Sequence, residues 1–291
     1  MKRWSLRLAV VSQLVFFLSS CEFLYSGKNL FSAFDGPDVA ALKSTTGSEL
    51  VEQLEQARGG EHDSFGDTFV ASLKQDPGSV DAIYSNLQAI FENNSQYNAS
   101  TKARAALLAA DLIAATSELV EPVVNNVVSA ALNLMSDPEQ TSFSAADLVV
   151  ALFGNRAPSK ESFVALMNDM ARIATAYDAL GEALNAGAGI SLDAGDGQTA
   201  LIAFTVTEVL QAVNRTKYEE KVTTLYETLV APSLRGKALD ENDMEDLFGD
   251  NYSTALATAF QSVLNPDQNP LRAALYNATR ISSLVALLGG E

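Results

Sequence analysis

Between Pro158 and Leu184 the chain carries its apolar residues at a single spacing. Phe163, Leu166, Met167, Met170, Ile173, Ala174, Tyr177, Leu180 and Leu184 follow steps of three and four. At 100° per residue they fall within an arc of about 140°, with no charged residue inside it. Pro158-Ser159 supplies a helix start. A stripe this regular has to be covered by other elements, so the segment is read as the central helix of a core. Packing is the plainer role for Met167, Met170 and Tyr177. The three are also the residues that would line an apolar pocket between helices, if there is one.

The same period runs through most of the chain, with Pro and Gly falling between periodic segments. Thr46 or Ser48 caps a helix to about Arg58, which Gly59-Gly60 ends. A shorter helix carries Phe65, Phe69, Val70 and Leu73 and stops before Pro77. The next is expected to begin at Ser79, and a long Ala-rich helix to run from Ser100 or Thr101 to about Leu119. Pro122 suits the first turn of a further helix, reaching Met135. Another opens at Ser142 or Ser144 and ends at Phe153-Gly154. After the central helix comes a Gly-rich loop over residues 186–198, then helices from about Thr199 to Val213 and from Lys217 to Val230, the latter stopped by Pro232. Asp240 caps an acidic turn to Phe248-Gly249, Ser253 opens a helix to Leu264, and a last helix runs to Leu288. Only Ile202 to Leu210, rich in β-branched residues, could be a strand instead. Pro77, Pro122 and Pro158 are spaced by about 45 and 36 residues, near the period of helical repeats, but no repeat signature accompanies them. The expected fold is all-α: an irregular array of antiparallel helical hairpins, helical-repeat-like or an orthogonal bundle.

The N-terminus has a different character. Lys2, Arg3 and Arg7 precede an apolar run from Leu8 to Leu18 that is interrupted only by Ser12 and Gln13. That run is short of the ~20 residues a membrane-spanning helix needs and has the form of a secretory signal. Ser19 and Ser20 follow, and then Cys21, the only cysteine. Leu18-Ser19-Ser20-Cys21 resembles the lipobox of bacterial lipoproteins at all four positions. The resemblance implies that Cys21 becomes the acylated N-terminus of the mature chain and ties it to a membrane of the cell envelope. Two or three acyl chains make such an anchor stable where one does not. Residues 1–20 are then the signal peptide, 21–36 the lipidated Cys and a short aromatic tether, and 37–291 a single helical domain.

Charge excludes one class of partner. Losing the first 20 residues removes three of the 19 basic residues and none of the 36 acidic ones, leaving a net charge of −20. Phosphate backbones repel such a chain, so no nucleic-acid partner is expected. With Cys21 acylated there is no disulfide, and stability rests on packing.

Little in the sequence points to catalysis. His62, the only histidine, sits in the polar stretch Gly59-Gly60-Glu61-His62-Asp63, where a solvated loop residue is the default. The several His or Cys ligands of a zinc site are absent, as are phosphate-binding loops. Arg104, Asp111 and Glu118 form a stripe along one helix, about 80° from the centre of its apolar side, which suits a solvated edge or an ion pair to a neighbouring helix. Asp193-Ala194-Gly195-Asp196-Gly197 looks like a calcium loop but fails the EF-hand spacing, with Leu192 and Ala203 at the first and twelfth positions. The acids from Asp240 to Asp246 suit a helix N-terminus. No catalytic residue, metal ligand or cofactor is assigned, and the chain is read as no enzyme. The expected function is a lipid-anchored periplasmic or cell-envelope helical scaffold or interaction protein, of the kind that serves as an accessory subunit of a transport or envelope-assembly system. The alternative is a binder of a small apolar ligand or lipid. More remote is a hydrolase using two carboxylates, which would show as two inward-facing acids with raised pKa.

Overall fold

Four helices begin by one device. Asn98, Ser159, Asp193 and Asp240 each accept the backbone N–H of the residue three further on, at 2.8, 3.1, 3.0 and 2.9 Å. Each bond satisfies one of the amides that a first helical turn leaves without a partner. In the computed structural model the described residues are 38–58, 64–93, 95–126, 153, 158–237, 240–264 and 270–279. The signal segment, Cys21, the aromatic tether, His62, the part beyond residue 126 of the helix expected to reach Met135, all but residue 153 of the helix expected to open at Ser142 or Ser144, and the end of the last helix lie outside them.

The described elements are helical, with no strand among them. They are α1 (Val39–Leu42), α2 (Gly47–Arg58), α3 (Asp67–Gln75), α4 (Pro77–Phe91), α5 (Ala99–Thr116), α6 (Lys160–Asn185), α7 (Ala194–Ala212), α8 (Tyr218–Leu225), α9 (Ala231–Leu234), α10 (Glu241–Phe248), α11 (Tyr252–Leu264) and α12 (Pro270–Ala278). Residues 120–126 are also helical, with Pro122 in the first turn.

Two helices make the centre. On α5 every residue from Ala105 to Ala110 is buried, so the helix is enclosed on all sides rather than along one stripe. Its alanines let neighbours come close. The other is α6, which packs on α5, α7, α12, α8 and α4 and buries the predicted stripe from Phe163 to Leu180. Ridge-and-groove packing of long helices around a shared pair is a bundle arrangement. A solenoid would confine contacts to sequence neighbours, yet α12 returns to α6 and α11 lies on α7. The buried apolar residues form one continuous cluster.

Where α12 meets α6 the approach is as close as backbones allow. A Cβ on Gly181 would stand 2.5 Å from the carbonyl oxygen of Leu271, so only glycine fits. Nearby, the Arg272 guanidinium, 7% exposed, gathers four elements. Nε donates to Asp178 Oδ1 of α6 at 3.2 Å, Nη2 to Glu208 Oε1 of α7 at 3.0 Å and Nη1 to the Ser262 carbonyl of α11 at 3.2 Å. The plane lies 4.2 Å from the centroid of the Phe204 ring, a cation–π contact that helps offset desolvation.

Several boundaries differ from the sequence reading, each for a local reason. Helix α4 starts at Pro77 rather than Ser79, because proline at the first helical position gives up an amide that would be unpaired anyway. Helix α5 ends at Thr116, three residues short of Leu119, and the Ser117 Oγ lies 3.4 Å from the amide of Val120, where the next helix begins. Pro232 does not stop a helix. Residues Tyr226–Val230 form one π turn, closed by the Ala231 N–H on the Tyr226 carbonyl, and α9 continues through the proline. The wider turn takes up the ladder bond that proline cannot make. The stretch Ile202 to Leu210 lies within α7, where Thr205 and Thr207 turn their hydroxyls back onto the Leu201 and Ala203 carbonyls at 2.8 Å.

Candidate functional site

The loop after α6 is shorter than its glycines suggest. Helix α7 begins at Ala194, five residues before the expected Thr199, because Asp193 and Asp196 make a reciprocal capping box. Asp193 Oδ1 accepts the Asp196 N–H at 3.0 Å, and Asp196 Oδ2 accepts the Asp193 N–H at 2.9 Å. The stretch considered as a calcium loop is therefore a helix start, with one oxygen of each carboxylate turned onto the backbone. Among the described residues no group of three or more His, Cys, Asp or Glu side chains is arranged to hold a metal ion.

The charges of this helix start act on a third carboxylate. Asp111, on the stripe along α5, pairs with Arg58 at the end of α2, Oδ2 standing 3.2 Å from Nη1. Two turns earlier on the same stripe, Arg104 pairs with Glu55 of α2 through both Nε and Nη2. The stripe is thus a seam of ion pairs between α2 and α5, the second of the two roles its position allowed. At Asp111 the seam leaves the surface. A quarter of the side chain still meets solvent, but Oδ2 is sealed from it and has no aligned hydrogen-bond donor.

Asp111, Asp193, Asp196, Arg58 and the buried Tyr177 of α6 lie within electrostatic reach of one another. Burial raises the Asp111 carboxyl to about 6, the Asp193 charge adding to it and Arg58 opposing it. Burial likewise raises Asp196 to about 7, reinforced by the charges of Asp111 and Asp193. The same burial and the same three carboxylates hold the Tyr177 phenol well above its usual range. Three carboxylates against one guanidinium leave surplus negative charge in a poorly hydrated place, and proton uptake is the direct relief. The two acids interact, so the proton belongs to the pair rather than to either residue.

Raised acids of this kind were the mark set for a carboxylate hydrolase. The oxygens here are engaged with the protein: Asp193 and Asp196 each spend one on the capping box, and Asp111 directs one at Arg58.

The pocket candidates have other surroundings. Met167, Met170 and Tyr177 are 5, 1 and 2% exposed, within the continuous core. Among the described residues Ser233 is the other place where a buried polar atom lacks a partner, its Oγ being sealed in the short helix α9. Among the described residues no helix is long and apolar enough to cross a membrane.

Sequence reasoning missed the carboxylate group, though one signal for it was there. Asp193-x-x-Asp196 has capping-box spacing; the pairing of Asp111 with Arg58, 53 positions apart in the chain, leaves no local trace. No family model, curated protein or solved structure matches the chain.

Proposed function

We propose that the chain is a lipid-anchored helical interaction protein of the bacterial cell envelope, a scaffold or accessory subunit of a transport or envelope-assembly system. The observation that carries this reading is Leu18-Ser19-Ser20-Cys21 at the end of a basic and then apolar segment, with Cys21 the only cysteine. A lone cysteine in an exported chain has no partner for a disulfide, and acylation gives it a role. The fold adds support of a general kind, since rigid helical bundles present wide surfaces to other proteins. Burial of Met167, Met170 and Tyr177 in the core favours packing over a ligand pocket, as is usual for methionine filling a core gap.

The anchor is tested by intact mass and by fractionation. Protein extracted from its own membrane should begin at Cys21 and carry the mass of two or three acyl chains, and Cys21→Ala should move to the soluble fraction. An unmodified thiol at Cys21, or a Cys21→Ala protein that stays with the membrane, overturns the reading. Native mass spectrometry of the mature chain then separates the two binding classes. A stoichiometric mass beyond the anchor would replace the interaction role with apolar-ligand binding.

A further inference from the structure

We propose that the segment between Cys21 and the helical body is a second contact with the membrane, lying in the bilayer interface with its aromatic side chains at the headgroups and holding the body against the surface. The proposal rests on the lipoprotein reading above and concerns what joins the anchor to the fold.

Residues 22–36 have a composition of their own. They carry Phe23, Leu24, Tyr25, Leu30, Phe31 and Phe34 against Glu22, Lys28 and Asp35, a net charge of −1. A spacer that only had to reach through water needs no aromatic rings, since Gly and Ser supply that reach. At 100° per residue Phe23, Leu24, Leu30, Phe31 and Phe34 fall within an arc of about 120° that holds no charged residue. Aromatic and leucine side chains on one side and polar ones on the other are the pattern of segments that bind in the plane of an interface. Position constrains the near half further. Tyr25 is four positions past Cys21, so Phe23, Leu24 and Tyr25 stay within about 15 Å of an anchor held in lipid. Insertion of the remaining rings then proceeds at the high effective concentration that a short linker gives.

The body offers these side chains little. Among the described residues Tyr218, 37% exposed, is the one large apolar side chain left open to solvent. The body also begins at once. Asp38 caps α1, accepting the Ala40 amide at 3.0 Å, four positions after Phe34. A tether in the interface therefore sets α1, which packs on α3 and α4, within about 15 Å of the headgroups. Stretched through water, the seventeen positions from Cys21 to Asp38 would let the body stand off by about 55–60 Å. The acidic body is repelled by anionic headgroups. The acyl chains hold the protein in the membrane, and the tether holds the body down.

Trp4 is the only tryptophan and Cys21 the only cysteine, so the full mature chain from residue 21 has no tryptophan and a single thiol. Phe31→Trp then reports on the tether alone. Coupling the Cys21 thiol to a maleimide-bearing lipid in phosphatidylcholine vesicles supplies the anchor without relying on acylation in the cell. On coupling, the emission should shift to the blue, and lipids brominated in their acyl chains should quench most of it. Phe34→Trp should behave alike, and serves if Phe31→Trp does not fold. Tyr218→Trp, on the body, should be unaffected by the bromines. A blue shift without quenching puts the rings on protein, and emission as in water leaves the tether solvated. Either result, or equal quenching of Tyr218→Trp, overturns the proposal. A Cys21 that the cell leaves unacylated overturns the anchor reading instead, and the intact mass shows that separately from the quenching.

Discussion

Gly181 stands where two backbones touch. Its absent Cβ would sit 2.5 Å from the Leu271 carbonyl oxygen and 2.9 Å from the carbonyl carbon, and backbone cannot swing aside as a side-chain end can. Gly181→Ala should therefore push α12 off α6 and lower stability by about 1–3 kcal/mol. Gly189 is the control. A Cβ there meets nothing within 4 Å, so Gly189→Ala should leave the urea midpoint unchanged or slightly higher. Equal losses in the two variants would show that the close approach is not what makes Gly181 necessary. The sequence gives no sign of this distinction. Gly181 falls inside the helical pattern and Gly189 in the loop after it, but nothing local shows that Gly181 meets a helix ninety positions later. Arg272 is illegible for the same reason. Its partners Asp178, Glu208 and Ser262 lie on three elements, and no spacing along the chain announces them. The burial of Met167, Met170 and Tyr177, by contrast, was legible, because they share one face of a single helix.

Elements were read best where their signals are local. The stripe on α6 and its Ser159 cap emerged as expected, since period and cap lie within a few residues of each other. The errors fell where a signal pointed two ways. Gly195 and Gly197 suggested loop, but the Asp193–Asp196 box overrides a glycine cost of about 1 kcal/mol each. Pro232 suggested a stop, and a π turn carries the chain past it. The same capping chemistry makes a prediction on α10, an eight-residue helix opened by a box between Asp240 and Asp243. So short a helix has little propagation to rely on. Asp240→Ala should lower stability by about 1 kcal/mol, seen as a lower urea midpoint at unchanged slope. An unchanged midpoint would mean that packing of Leu247 and Phe248 alone holds α10.

Across the whole molecule, charge opposes the fold. The chain carries a net charge of −17, and its exposed ion pairs, such as Lys43–Asp76 and Lys160–Glu227, contribute little. Salt weakens these pairs but weakens the general repulsion more. Raising sodium chloride from 0.1 M to 1 M should stabilise the chain by about 1 kcal/mol, a rise of roughly 2–4 °C in Tm. A fall in Tm would mean that the ion pairs outweigh the repulsion. Fold class was legible at this scale because it needs only the period of the apolar residues. The way the helices are gathered was left open between a repeat-like array and a bundle, since proline spacings of about 45 and 36 residues do not fix which helices meet, and the contacts run back across the chain.

That return of α12 to α6 has a consequence in time. The ribosome completes α6 when it reaches Asn185, and it must add residues up to Ala278 before α12 exists. At about 5–20 residues per second that interval lasts on the order of 5–20 seconds, whereas helices form within microseconds. Throughout it, the Gly181 side of α6 has no partner from its own chain. The newborn protein is thus a helix pair with an open seam long before it is a closed bundle, and the seam is where a chaperone or a neighbouring nascent chain would first take hold.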